Sequence, residues 1–417
     1  MDAEAAAIHP ENPATRMWLW LLMATVVAGL AHIGLYLFPF EDAYISFRYA
    51  ENLANGHGFV FNPGGEPVEG FTSFFWVALL GVLNVFGAVV PDTAVALSVC
   101  LGLGLLGVTA ALAASWNGRV DAWIALPPTL LAANGTWAYW SGSGMETTLF
   151  VLLLSLGVLS ATKKSGRMAI VAGVCLALLA MVRPEGAGYA IAVLVALLVG
   201  RESRQQGVRV LGMFALLFVP WFLWRWQYFG YPLPNTVYVK ASPSSEQFYY
   251  GWRYLEECLT SHGYWLVLPA LGWALYRRKW DRKARLFAFV LGANTVNVVA
   301  VGGDIFSFYR FLLPAQVLGG VVVIDGCRRL TRGVPRLTER ARGGLAALLC
   351  LLLGAWMLWA GWVPRYSLHG ATPESHRARI VNVDKLNRQY QSIGEWLKAT
   401  FPSDTVVALN AAGIVPY

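Results

Sequence analysis

Charge is scarce in this chain. Only 13% of its 417 residues are Asp, Glu, Lys or Arg, about half the share a soluble domain carries. That scarcity excludes an ordinary water-soluble globule, and counting soluble domains by length has no meaning here. Cysteine is sparse too. Cys100, Cys175, Cys258, Cys327 and Cys350 lie mostly in or beside apolar runs, and none forms a CxxC pair. The pattern points to neither a disulfide framework nor a zinc site. There is no internal repeat and no low-complexity tract.

What the chain has instead is apolar sequence, 57% of its residues. It is read as an all-α polytopic membrane protein. Residues 17–38 match one bilayer thickness. Without a small-residue cleavage site, this first run is read as a retained helix. Further apolar runs cover 93–115, 122–140, 147–162, 168–182, 186–200, 210–226, 259–276, 286–302, 311–326 and 344–363.

The net charge of +8 could point to nucleic acid, but its placement argues otherwise. Basic residues gather in short loops: Lys163, Lys164 and Arg167; Arg201, Arg204 and Arg209; Arg277 to Arg285; and the arginines over 327–342. Such loops mark the cytoplasmic side of a membrane. They fall on one side if each run crosses once and residues 71–90 form a juxtamembrane or half-inserted helix. About eleven crossings result. The alternative is that 71–90 crosses and another run does not.

This arrangement divides the chain into a cytoplasmic tail at 1–16, a transmembrane module at 17–363 with an external loop at 39–70, and an external segment at 364–417. In the last of these, SIGEWLKAT (392–400) reads as a short amphipathic helix and TVVAL (405–409) as a strand. The pair is expected to begin a small external α/β domain. A strand without a partner leaves backbone groups unpaired, so the chain is expected to be truncated.

The opposite side collects carboxylates. Glu41 and Asp42 follow the first helix directly. Paired carboxylates beside an apolar wall can serve as base, nucleophile or metal clamp. The alternative is a solvated helix end. The loop that follows is rich in Gly, Asn, His and aromatic residues, which suit tight turns and sugar platforms.

Glu146 in SGMET stands at a helix entrance, where the helix dipole alone would favour an acid. In RPEG, Arg183 and Glu185 flank a proline between two apolar runs. Arg183 could bind a phosphate or snorkel to the interface. Lys240, after the stiff GYPLPNT loop, is a second phosphate contact in prospect. Asp304 and Arg310 share one boundary, where Asp304 could assist the acidic pair or simply pair with Arg310.

A lipid-linked donor would hold its phosphate at this interface, where guanidinium and ammonium groups stabilise a leaving phosphate. A carboxylate near the anomeric carbon would take the acceptor's proton or stabilise an oxocarbenium-like state. No ligand spacing indicates a metal, so the cofactor stays open.

The ordered motifs EDAYISFRYAENLANGHGFVFNPGGEPVEGFTS, SGMETTLF, RPEG, GYPLPNTVYVK, GGDIFSFYRFLLP and VVALNAAGIVPY resemble those of the C-type (GT-C) polytopic glycosyltransferases. In particular they are similar to the bacterial terminal β-(1→2)-arabinofuranosyltransferase family. The resemblance implies a polyprenyl-phosphate sugar donor, an envelope glycan or glycolipid acceptor, and an active site on the extracytoplasmic face of the bacterial inner membrane. The family's acidic pair is usually Asp-Asp; here it is Glu41 and Asp42.

Asp42 is thereby implied as the catalytic acid, with Glu41 as its partner. Arg183, Lys240 and Arg310 are implied as donor-phosphate contacts, and Arg48, His57, Glu69, Glu146, Glu185, Asn235 and Asp304 as substrate contacts. The sugar, acceptor and stereochemistry stay open. The rival readings are a lipid-glycan transporter or flippase and a non-catalytic envelope scaffold. A transporter would place its charges nearer the midplane than these boundary acids.

Overall fold

The computed structural model describes residues 13–240, 244–261, 265, 268–304, 306, 308–332, 338, 341, 344–345, 348, 351–352, 355–356, 376–402, 405, 407 and 412–417. The described secondary structure is helical. Helix α1 (Pro13–Ile33) runs through a 3-10 turn, Gly34–Tyr36, toward the acidic pair. Two short helices follow, α2 (Ala43–Ala54) and α3 (Phe74–Val85). The long α4 (Val90–Asn117) comes next. Then come α5 (Leu126–Ala132), α6 (Gly135–Gly142), α7 (Thr147–Thr162), α8 (Gly166–Val182) and α9 (Glu185–Val199).

The second half holds α10 (Arg204–Phe229), α11 (Asn235–Lys240), α12 (Ser245–Ser261), α13 (Leu268–Arg277), α14 (Arg282–Val301), α15 (Leu313–Arg332) and α16 (His376–Thr400).

Local chemistry sets the breaks. Pro184 forces the residue before it into extended backbone, so α8 stops at Val182 and Arg183 sits at φ −154°, ψ 143°. Gly302, at φ 85°, closes α14 in the left-handed conformation that glycine adopts without strain. At its other end, Asp281 caps α14 by accepting from the Ala284 amide at 2.8 Å.

Close crossings use small residues. A side chain at Gly142 would collide with the Tyr36 carbonyl, and one at Gly81 with Leu53 of α2. The core between the helices is aromatic as well as aliphatic, with Trp76, Trp116, Trp137 and Trp140 fully buried.

Five helices are long and apolar enough to cross a membrane, and six if α6 and α7, bent by 117° at their break, count as one span. The expected crossing number of about eleven is not reached, because several runs are shorter or interrupted. Helices α8 and α9 have 17 and 15 residues. The run at 122–140 divides at Asn134, whose side chain accepts from the Thr136 amide at 2.8 Å and starts α6 anew. The run at 259–276 divides between α12 and α13, with Pro269 in the first turn of the latter. Residues 74–85 form a 12-residue helix of their own.

The amphipathic helix expected over 392–400 is the end of the 25-residue α16. Among the described residues there is no strand, so the external α/β domain is not formed by them. Most of the strand expected at 405–409, and most of the run at 344–363, lies outside the described residues.

The bundle has two polar ends. Helices α7, α8, α9, α14 and α15 each run from one to the other. At the basic end, cations meet helix C-termini. Arg278 donates to the Trp116 carbonyl at 3.0 Å, Arg282 to the Lys163 carbonyl at 2.8 Å, and Arg285 to the Ala196 carbonyl at 3.2 Å. Lys283 donates to the Ser115 carbonyl. Each cation satisfies an acceptor the helix cannot, and meets the negative end of its dipole. The other end carries the acids.

Candidate functional site

At the acidic end, side chains from four helix junctions converge. Glu146 precedes α7, Arg183 ends α8, and Glu185 opens α9. The Arg183 guanidinium bridges both acids, with Nη1 at 2.6 Å from Glu146 Oε1 and Nε on Glu185 Oε1. Its side chain is 13% exposed and that of Glu146 4%. Snorkelling therefore does not describe Arg183. The chain keeps this cation at depth by pairing it twice.

Asp304 and Arg310 form a second buried pair, Nε to Oδ2 at 2.5 Å. Three rings enclose the Arg310 guanidinium: Phe306 at 4.9 Å, Trp140 at 5.0 Å and Phe311 at 5.1 Å. Cations gain from aromatic faces, and more so when desolvated. The backbone just before Arg310 is strained. Phe308 and Tyr309 hold φ values of 68° and 43°, which non-glycine residues rarely adopt. Tyr139 stacks on Phe308 at 4.0 Å, and Trp140 Nε1 donates to its carbonyl at 3.2 Å. Packing thus imposes the geometry that aims Arg310.

Arg183 and Arg310 reach one recess of about 300 Å³, lined also by Thr147, Glu185, Tyr189 and Asn297. Phe311 spans the gap, lying 5.3 Å from the Arg183 guanidinium as well. Arg183 Nη2 makes no hydrogen bond among the described residues, so a donor remains for an anionic ligand. Among those residues no three His, Cys, Asp or Glu side chains gather as a metal ion would need.

The acidic pair lies beside this recess. Phe40 donates its amide to the Ser143 carbonyl at 2.9 Å and packs its ring on Phe306 at 4.7 Å and Trp140 at 5.8 Å. These are two of the rings around Arg310, and Glu41 and Asp42 follow immediately. Asp42 stands at the N-cap of α2, yet its side chain makes no capping bond.

Glu41 Oε1 accepts from the Gly413 amide at 2.7 Å. Burial pushes the Glu41 carboxyl up to about 7, and the hydrogen bond and charge of Asp42 add to this; the Gly413 amide works against it. Near neutral pH the two carboxyls therefore share a proton, as close acid pairs do.

The remaining sequence candidates fall elsewhere. Arg48 holds the loop after α2. It donates to the Phe61 carbonyl at 2.7 Å and to Asn62 Oδ1 at 3.0 Å, and lies 4.7 Å from the Phe61 ring. Glu69 is clamped by Arg225, with Nη2–Oε2 at 2.7 Å and Nε–Oε1 at 2.9 Å. Asn235 donates its amide to the Glu69 carbonyl at 3.3 Å. His57 is exposed, and none of the described contacts brings its side chain to the recess. The side chain of Lys240 lies outside the described residues.

Sequence reading missed Arg225 and Gly413. The first had a signal, since a lone arginine inside the apolar WFLWRWQYF run must find a partner. The second had none, as its partner is 372 residues away.

No family model matches the chain. It is 28% identical over 406 residues to the terminal β-(1→2)-arabinofuranosyltransferase of Mycobacterium tuberculosis, an alignment covering 84% of this chain. The chain spans 62% of that relative's length.

Among solved structures, it is similar to apo ArnT from Cupriavidus metallidurans, with TM-score 0.63, 14% identity, and 97% of this chain and 84% of that one covered. ArnT bound to undecaprenyl phosphate gives 0.57 and 17%, covering 92% and 73%. The archaeal oligosaccharyltransferase AglB from Archaeoglobus fulgidus, in complex with an inhibitory peptide and a dolichol-phosphate, gives 0.56 and 11%, covering 92% and 58%. The chain has the GT-C fold these proteins share, and the resemblance read from its motifs is borne out.

Proposed function

We propose that this chain is a membrane glycosyltransferase that moves a sugar from a polyprenyl-phosphate donor to an envelope glycan or glycolipid on the extracytoplasmic face. The observation that carries the reading is the recess where Arg183 and Arg310 meet beside a proton-sharing acid pair. The similarity to an arabinofuranosyltransferase favours arabinofuranose as the sugar. The ArnT and AglB structures with lipid phosphates favour the donor class.

In the reaction, the acceptor oxygen bonds to the anomeric carbon as the bond from that carbon to the phosphate oxygen breaks. The acceptor's proton passes to the acid pair, with Asp42 as base or electrostatic stabiliser and Glu41 as its partner. Arg183 and Arg310, joined by Lys240, take the charge developing on the departing polyprenyl phosphate. Glu146 and Glu185 orient Arg183, and Asp304 orients Arg310. Arg48, Glu69 and Asn235 hold the loop that walls the acceptor side, with His57 at its rim.

The test is to incubate the purified chain with a panel of labelled polyprenyl-phosphate sugars. A new glycoside is expected, and Asp42→Asn should lower its formation by about a thousandfold while membrane insertion is unchanged. Unchanged transfer by that variant would sink the assignment of Asp42. Lipid movement without bond cleavage would favour the flippase reading.

A further inference from the structure

The acidic corner is closed by a segment from the far end of the described chain. Residues 413–417, GIVPY, lie across the turn at 39–42 and along α2. The Gly413 amide meets Glu41 Oε1 at 2.7 Å. Arg48 Nη1 donates to the Pro416 carbonyl, and the Tyr417 hydroxyl donates to Glu51. The Tyr417 ring packs edge-on against Tyr44 at 5.0 Å and Phe47 at 6.3 Å. Ile414 and Val415 are buried. Helix α16 holds the same region from outside, with Asn387 Nδ2 donating to the Pro39 carbonyl at 3.0 Å.

Glu41 needs such a contact. Its closest charged neighbour is Asp42, of the same sign, and among the described residues no Lys or Arg forms an ion pair with it. A half-buried carboxyl without a cation must be met by hydrogen-bond donors. They come from the backbone of the strap, at Gly413 and Ile414. Only glycine fits at 413. An added Cβ would collide with the Glu41 carbonyl and stand 2.6 Å from its Oε1.

We infer that Gly413 is a positioning residue for the acid pair: its backbone amide holds the Glu41 carboxyl in place, leaving Asp42 to face the substrate. This rests on the function proposed above. In these terms Glu41 acts by being held, and the corner is complete only with the strap seated. The choice of Glu rather than Asp at position 41 also acquires a reason, since the longer side chain spans to the Gly413 amide.

Two measurements on the full 417-residue chain test this. The first is transfer from labelled donor. Gly413→Ala should lower kcat by about 10- to 100-fold, the range of one charge-assisted hydrogen bond, with donor KM within about twofold. The double variant Glu41→Ala/Gly413→Ala should lose no more than Glu41→Ala alone, because both substitutions break one contact. Glu41→Gln, which keeps an acceptor oxygen, should regain at least about tenfold over Glu41→Ala. Additive losses, or Gln no better than Ala, would overturn the inference.

The second measurement needs neither catalysis nor a change at 413. Amide hydrogen exchange of residues 412–417 should quicken by about tenfold or more in Glu41→Ala and return toward the native rate in Glu41→Gln. Equal exchange in all three proteins would overturn the strap contact itself. A native chain that transfers sugar from no donor would remove the proposed function, while the exchange comparison would still decide the contact.

Discussion

The two ends of the bundle use the same residue, arginine, for different purposes. At the basic end Arg278, Arg282 and Arg285 reach carbonyls near the C-termini of α4, α7 and α9. Their geometry is satisfied by the fold, and each stabilises a helix end. At the acidic end Arg183 and Arg310 meet carboxylates from other junctions and face a recess. Here the surrounding structure serves the guanidinium, even to the point of strained backbone at Phe308 and Tyr309. An arginine that closes a helix tells of stability, whereas one held by acids beside a recess tells of a ligand.

The largest expected effect tests that contrast directly. Arg183→Ala should reduce sugar transfer per folded molecule by about a hundredfold or more, the scale of losing one transition-state charge contact. Arg282→Ala at the other end should leave transfer per folded molecule within about threefold, though it lowers the melting temperature. Comparable losses of transfer at both ends would erase the distinction.

A second experiment asks whether a buried pair away from the recess behaves as structure. Glu69→Ala strands the Arg225 guanidinium, whose side chain is 3% exposed, and should destabilise the protein by about 3–5 kcal/mol. Replacing both partners, Glu69→Leu with Arg225→Met, should recover much of that stability in a thermal melt. If the single change is silent, the Glu69 clamp does not brace the external loop.

The smallest effect is a pH dependence. The Glu41 carboxyl is raised from 4.5 to about 7, mainly by burial. A raised acid gives stability that is whole below its unfolded pKa and is lost as pH rises through the folded value. The native protein should therefore lose melting temperature relative to Glu41→Gln between pH 5 and 8. A difference that stays flat across that window would show that Glu41 is not held in its neutral form.

Much of the acidic end was legible in the sequence because its residues sit at local breaks. Pro184 and Gly302 end helices by their own backbone chemistry, so RPEG and GGD announce junctions, and Thr147–Thr162 begins and ends where the apolar run does. Pairing was less legible. Arg183 could be seen to need a partner, but that it bridges Glu146 and Glu185 depends on how α7, α8 and α9 pack. Glu69 with Arg225 and Glu41 with Gly413 join residues far apart in the chain, which no local rule predicts. The crossing count was obscured by Asn134, which restarts a helix within an apolar run.

The placement of the site at helix junctions has a consequence for inheritance. Each α-helical residue adds about 1.5 Å of rise and about 100° of rotation. One codon inserted within α7, α8 or α9 would therefore swing a charged side chain out of register with partners fixed on other helices. The same insertion in the loop at 62–66 would change only a connection. Lineages of this fold are thus free to lengthen their loops, and with them their choice of acceptor, while the interior of the bundle stays fixed in length.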